Sequence, residues 1–409
     1  MYDVKKVRSD FPMLRAKKQM QGHDLVFLDN ASTTFKPDAV IEAVRRYYED
    51  ETSNAHRGDY DLCYHADMAI ASARKTLASF LGADDEEIVF TAGTTDGLNL
   101  VAEAYCRQIL SPGDEILISK AEHASNLLPW FRLAKQTGAV LRYVSLDDKY
   151  RILPSAVKDA LNEKTKVVSF AGIGNVLGHV LPIREIANLV HSVGAIFVVD
   201  GAQLVPHLKV DVKELDCDFL AFSGHKMCGP TGIGVLYGKK ELLSTADPYR
   251  LGGGMNVKFY ANGEASYLPA PARFEAGTQH IAGIYGLKAA VDYLNALGME
   301  HVLEHERELK RYAVTRFESL SNAIVYNADA ESGILTFNIR DVFAQDAGTF
   351  LNAKGIACRS GQHCAKILGE ELGEIATVRA SFYLYTTKEE IDALAEAVQE
   401  GGNYLDAYF

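Results

Sequence analysis

Lys226 closes the turn Ser223-Gly224-His225-Lys226, downstream of the apolar run Ile196-Phe197-Val198-Val199 that ends at Asp200. Gln203 stands between the two. A lysine amine can condense with an aldehyde, and a carboxylate can hold a proton on an aromatic ring nitrogen. Together they make a ring that takes up electrons, which is what pyridoxal phosphate (PLP) chemistry needs. A lone Asp and Lys are weak support, because most lysines are solvated surface charges.

Further residues supply the rest of such a site. Thr91-Ala92-Gly93-Thr94-Thr95-Asp96 follows the apolar run ending at Phe90 and is expected to open a helix over 97–105. Free amides and hydroxyls at a helix start bind phosphate, although plain capping would use the same residues. Other phosphate motifs are missing: there is no G-x-x-x-x-G-K-[ST], and Gly172-Ile173-Gly174-Asn175-Val176-Leu177-Gly178 is one residue too long for G-x-G-x-x-G. His123, in Ala121-Glu122-His123-Ala124-Ser125-Asn126, follows the apolar run Ile116-Leu117-Ile118 and so comes from the same sheet edge. An imidazole there can stack on a flat ring and move protons. Cys364 sits among Arg359, Ser360, Gly361, Gln362 and His363, polar or small neighbours unlike a core, and a thiolate is a strong nucleophile. Cys358 lies on an apolar stretch and reads as structural.

Such residues need a sheet to position them. From about 85 to 240, short apolar runs alternate with helical patterns: 87–90, 115–118, 140–144, 167–170, 196–199, 219–222 and 234–237. Strands alternating with helices imply an α/β fold with a mostly parallel sheet covered on both faces, and its ligands collect at the carboxyl ends of the strands. Gly and Pro cluster between about 228 and 277, which reads as irregular loop. A long helical pattern runs from Ile281 to about Leu320 with a break near Gly298. A smaller α+β unit follows, with a strand over 334–339, a helix over 347–354, and a terminal helix opened by the capping box Thr387-Lys388-Glu389-Glu390. The expected division is a large domain over 22–290 and a small domain made of 1–21 and 291–409.

The bulk properties fit. The 409 residues are 48% hydrophobic and 23% charged, with a net charge of −12 that disfavours nucleic acid and anionic membrane. No apolar run is long enough to span a bilayer, and the first residues have no signal-peptide core, so a cytoplasmic protein is expected. The six cysteines are scattered, without a C-x-x-C pair. Neither a disulfide framework nor a metal site is expected.

At this point the residues resemble a family. Phe27-Leu28-Asp29-Asn30-Ala31-Ser32-Thr33, His56-Arg57-Gly58, Thr94-Thr95, His123, Asn175-Val176-Leu177-Gly178, Asp200-Gly201-Ala202-Gln203, Ser223-Gly224-His225-Lys226, Phe274-Glu275-Ala276-Gly277-Thr278, Arg359-Ser360-Gly361-Gln362-His363-Cys364 and Arg379-Ala380-Ser381 occur in the order found in cysteine desulfurases. These are fold-type I PLP enzymes of the class V aminotransferase family, and the group II, SufS-type branch is the nearer match. The resemblance implies a large domain with a mostly parallel sheet and a small α+β C-terminal domain. It implies Lys226 as the Schiff-base lysine, Asp200 on the pyridine nitrogen, Gln203 as donor to the phenolic oxygen, and Thr95, Ser223 and His225 around the phosphate. His123 would stack on the ring, and Asn175, Arg379 and Arg359 would bind substrate. Thr278 would reach the phosphate of a neighbouring subunit, making a homodimer.

The activity implied is conversion of L-cysteine to L-alanine, with sulfur passed to Cys364 as a persulfide and on to a SufE-like or SufU-like acceptor for iron–sulfur cluster assembly. Departures are Gln362 in place of a second histidine, no proline soon after Cys364, Cys63 in place of a small residue, and Gln279 in place of a proline. They bear on partner identity and transfer rate. The near rival is a selenocysteine lyase or another PLP lyase or aminotransferase-like enzyme. A carrier scaffold without turnover is the distant one.

Overall fold

The computed structural model describes residues 2–55 and 58–401. His56 and Arg57, part of the resemblance above, lie outside the described residues. A seven-stranded sheet runs in the order Ile88–Thr91, Gly234–Gly238, Phe219–Ser223, Ile196–Asp200, Thr165–Ala171, Glu115–Ile118 and Val140–Tyr143. Gly234–Gly238 is antiparallel to both its neighbours, and the remaining pairs are parallel. The continuous apolar runs have a simple cause. Side chains alternate between faces, so Phe197 and Val199 enter one core while Val198 enters the other. Helices cover both faces, so neither set can be polar. The helix Ile281–Leu297 packs against Asp38–Asp50 and Asp61–Leu81 on one side.

A second, four-stranded antiparallel sheet follows the order Ala323–Val325, Ile334–Ile339, Thr377–Ser381 and Arg359–Gly361. Leu309, Leu351 and Leu394, from the helices Met299–Glu318, Ala344–Ala353 and Lys388–Glu400, close its core. The segment after Val26–Phe27 reaches this unit: that strand pairs with Ile356–Ala357, and Asp29 bridges to Ser381. Among the described residues, no helix is long and apolar enough to cross a membrane.

Three local expectations need correction. Glu87 is not in a strand; it ends a short turn that Asp84 caps, and the strand is Ile88–Thr91. The helix expected over 97–105 begins at Thr94, because Gly93, at φ 141°, turns the chain directly out of the strand. A Cβ at Gly93 would lie 3.0 Å from Ser223 Oγ, so the tight approach also needs glycine. The stretch over 228–277 is more regular than its composition suggests. Besides the expected strand it holds the helix Lys240–Thr245 and a hairpin of Asn256–Phe259 with Ala265–Tyr267.

The terminal helix does carry the expected capping box: Thr387 Oγ1 accepts from the Glu390 amide, and Glu390 Oε2 accepts from the Thr387 amide at 2.9 Å. Thr387→Ala should therefore destabilise the protein by about 1 kcal/mol, measured as a lower urea midpoint than wild type.

Candidate active site

At the carboxyl edge of the large sheet, Asp200 pairs in register with Ala171, and Ser223 and Gly234 end adjacent strands. These ends, the Thr94 helix start, the His123 loop and two strands of the small sheet enclose a cavity of about 210 Å³. Lys226, Asp200, Gln203, His123, Cys364 and Arg379 all line it. So do Thr95, Ser223, His225, Asn175 and Arg359. Residues scattered from 95 to 379 are thus brought together as the sequence implied. Thr278 is the exception. It is exposed and lines a separate cavity of about 150 Å³ beside Phe90 and Arg250.

The charges are arranged for proton work. Burial, together with Arg379 and Arg359, pushes the Lys226 ammonium down to about 8, although Asp200 opposes the shift. Asp200 is buried, its Oδ1 held by the Ala202 amide at 2.9 Å, and burial raises its carboxyl despite that bond and Lys226. His123 accepts at Nδ1 from the Ser125 amide at 3.0 Å, which leaves Nε2 as the protonated nitrogen of a neutral ring. Burial and the nearby Lys226, Arg379 and Arg359 push the imidazole down to about 4.

The side of the cavity that carries the two arginines draws on both sheets. Arg379 is buried in Thr377–Ser381; its Nη1 donates to the Asn175 carbonyl at 2.7 Å, and its Nη2 to Asp29 Oδ1 at 3.2 Å and Ser32 Oγ at 2.9 Å. Arg359 Nη1 donates to the same Ser32 Oγ at 3.1 Å. Nothing in the types of Asp29 and Ser32 signals that Asp29 will pair with Arg379 or that Ser32 will receive both guanidinium groups.

Cys364 is exposed, with Sγ 3.9 Å from Arg359 Nη2. His363 and Cys364 both adopt left-handed backbone, at φ 51° and 57°. That conformation is costly for residues with a Cβ and persists only when surroundings enforce it. Here Asn175 Nδ2 donates to the His363 carbonyl at 2.8 Å, and the Ala124 amide to the Cys364 carbonyl at 2.8 Å. The neighbours are less open than expected, since His363 and Ala365 are buried. Cys358 behaves as read: it packs on the small core, and burial pushes its thiol well up.

The residues fit pyridoxal phosphate. Asn175 Oδ1, Gln203 Oε1 and Arg379 Nε are buried without a partner among the described residues, and each belongs to a residue lining the cavity. Hydroxyls of Thr95 and Ser223 meet the start of the helix Thr94–Leu100, a cradle for a phosphate. Gln203 Nε2 donates one of its two hydrogens to the Ala31 carbonyl at 2.7 Å, which leaves the second free to donate.

Comparison with known proteins agrees with this geometry. The family model described as aminotransferase class-V matches residues 26–394. A probable cysteine desulfurase of Halalkalibacterium halodurans is 46% identical over 100% of this chain and 99% of its own length. A cysteine desulfurase of Haloferax volcanii is 42% identical over 97% of this chain and 96% of its own. The crystal structure of the cysteine desulfurase CsdA from Escherichia coli superposes with a TM-score of 0.91 at 37% identity, covering 98% of this chain and 99% of that one. Fold and cavity together define a PLP-dependent enzyme of fold type I. The chain belongs to the class V aminotransferase family.

The depressed Lys226 amine gives a direct check. In protein freed of cofactor, an amine-specific reagent should modify Lys226 with a midpoint near about 8, whereas an ordinary lysine titrates at 10.5. Peptide mapping across a pH series reads this out. A midpoint at the ordinary value would show an open, solvated amine.

Proposed function

We propose that the protein is a cysteine desulfurase, taking L-cysteine to L-alanine and holding the sulfur on Cys364. The observation that carries this is the placing of a thiol, Cys364, on a loop at the mouth of the cavity that contains Lys226, Asp200 and Arg379. Lyase and transamination chemistry has no use for an enzyme thiol there; sulfur abstraction does.

Asp200, Gln203, His123, Thr95, Ser223 and His225 would hold PLP, with Lys226 as its covalent anchor. Bound there, the cofactor supplies an electron sink for the carbon next to the substrate carboxylate. The remaining work falls to this chain. Arg379 and Asn175, with Arg359, orient the carboxylate, a planar anion that a guanidinium fork matches. Lys226, whose amine is readily neutral, takes the Cα proton. The Cys364 thiolate attacks the substrate sulfur. An S–S bond forms as the Cβ–S bond breaks, and the electron pair left on carbon is protonated to give alanine. The Nε2–H of the neutral His123 ring can donate a hydrogen bond to the departing fragment, while Lys226, having taken the Cα proton, is the group that can return one. The net change is cysteine plus enzyme thiol to alanine plus enzyme persulfide, with no outside oxidant.

The same reading extends to assembly and partners. Thr278 lies outside the cavity of its own chain, which supports its service to a neighbouring subunit in a homodimer. Tyr48, Tyr60, Tyr64 and Met68, exposed along the helices Asp38–Asp50 and Asp61–Leu81 and the turn before the second, offer an apolar face for such a contact. The exposure of Cys364 supports hand-over to an acceptor protein, SufE-like or SufU-like, for iron–sulfur cluster assembly in the cytoplasm. The domain division at 290/291 belongs to this reading too.

Cys364→Ser tests the function, because it keeps the volume and removes the nucleophile. The variant should bind PLP and cysteine yet release no alanine. Wild type incubated with cysteine should gain about 32 Da on the Cys364 peptide, one sulfur atom on the thiol. Alanine release by Cys364→Ser at the wild-type rate would overturn the assignment.

A further inference from the structure

The segment Thr33-Thr34-Phe35-Lys36 has no part in the chemistry above, yet its polar atoms converge on one backbone atom. The carbonyl of His225 accepts from the Thr34 amide at 3.0 Å, from Thr33 Oγ1 at 3.1 Å, from Thr34 Oγ1 at 3.1 Å and from Lys36 Nζ at 3.3 Å. That carbonyl belongs to the peptide bond leading into Lys226. Thr34 Oγ1 also accepts from the Cys228 amide at 2.9 Å, so the lysine is bracketed on both sides.

Lys36 is the unusual member. It is partly buried, and among the described residues no carboxylate pairs with it. Among the described residues, its ammonium bonds only to oxygens of Thr33, Thr34 and His225. It also precedes the helix Asp38–Asp50, whose positive end opposes a cation. Local helix energetics therefore do not explain the residue. A cation donating to a peptide oxygen fixes that peptide more firmly than a neutral donor does. The other end of the segment is equally anchored: the Phe35 amide donates to Tyr385 Oη at 2.9 Å, and Tyr385 Oη donates to Asn30 Oδ1 at 2.6 Å. Burial pushes the Lys36 ammonium down to about 8.

We propose that Lys36, with Thr33 and Thr34, is a positioning residue for Lys226: it clamps the His225–Lys226 peptide and so sets the direction from which the amine meets the cofactor aldehyde. The inference rests on the reading of Lys226 as the PLP lysine. Lys36 does not line the cavity; it would act through the backbone.

The test is Lys36→Met in the full-length protein reconstituted with PLP, with Lys36→Arg as the conservative variant. Visible circular dichroism per bound PLP reports how firmly the chromophore is held in one orientation, and equilibrium titration reports its affinity. Lys36→Met should lose about half of the dichroism and bind PLP about tenfold more weakly, the order expected for one charge-assisted hydrogen bond. Lys36→Arg should restore part of both. A fall in melting temperature with dichroism per PLP and affinity unchanged would reduce Lys36 to a structural role and overturn the proposal. If Lys36→Met does not fold, Thr33→Val removes one donor at nearly constant shape. It should show smaller losses of the same kind, and wild-type values there would equally overturn the clamp. Wild type that binds PLP without an imine absorbance band would instead sink the underlying function. An intact band in wild type, with both readouts unchanged in the variants, would sink the clamp alone.

Discussion

The cavity gathers like charges. Lys226, Arg359 and Arg379 all face one space in a chain whose net charge is −12. Cations placed so close repel, and the low-dielectric surroundings sharpen the effect. The structure answers with two acids. Asp200 stands at the end of its strand, and Asp29 pairs with Arg379 from the other side. Much of the local architecture follows from this balance. Burial first, and the neighbouring cations second, make Lys226 an amine that readily loses its proton and keep His123 neutral. Arg379 is held in one orientation by Asn175, Asp29 and Ser32.

The balance needs both sheets. The large sheet supplies Asp200, Ser223 and the turn to Lys226, while the small sheet supplies Arg359 and Arg379 from adjacent strands. Asn175 couples the two. Its carbonyl accepts from Arg379, and its side chain donates to the His363 carbonyl beside Cys364. Arg379 and the loop that carries Cys364 therefore share one residue, so a shift in either is felt by the other. The segment from Asp29 to Lys36 makes a second tie, reaching Arg379 at one end and the peptide before Lys226 at the other.

Much of this was legible in the sequence. The apolar runs marked the strands because a sheet covered on both faces leaves no room for polar alternation. The chemistry-bearing residues fell at strand ends, where the fold gathers them. What could not be read were contacts between distant segments. Ser32 gives no sign in its type that it will receive two guanidinium groups, and Gln203 none that its nitrogen will turn to Ala31. The hairpin at Asn256–Phe259 was hidden because Gly and Pro around it signal turns, and its strands are too short and exposed for clear alternation. The left-handed backbone at His363 and Cys364 was equally invisible, since long-range bonds impose it against local preference.

Lys226 is the amine proposed to meet the cofactor, and the rest of the chemistry depends on it. Borohydride reduction of the PLP-loaded protein, followed by peptide mapping, tests that most directly. The prediction is a single pyridoxyl label on the peptide containing Lys226. A label on another lysine, or none on a protein that has bound the cofactor, would contradict it.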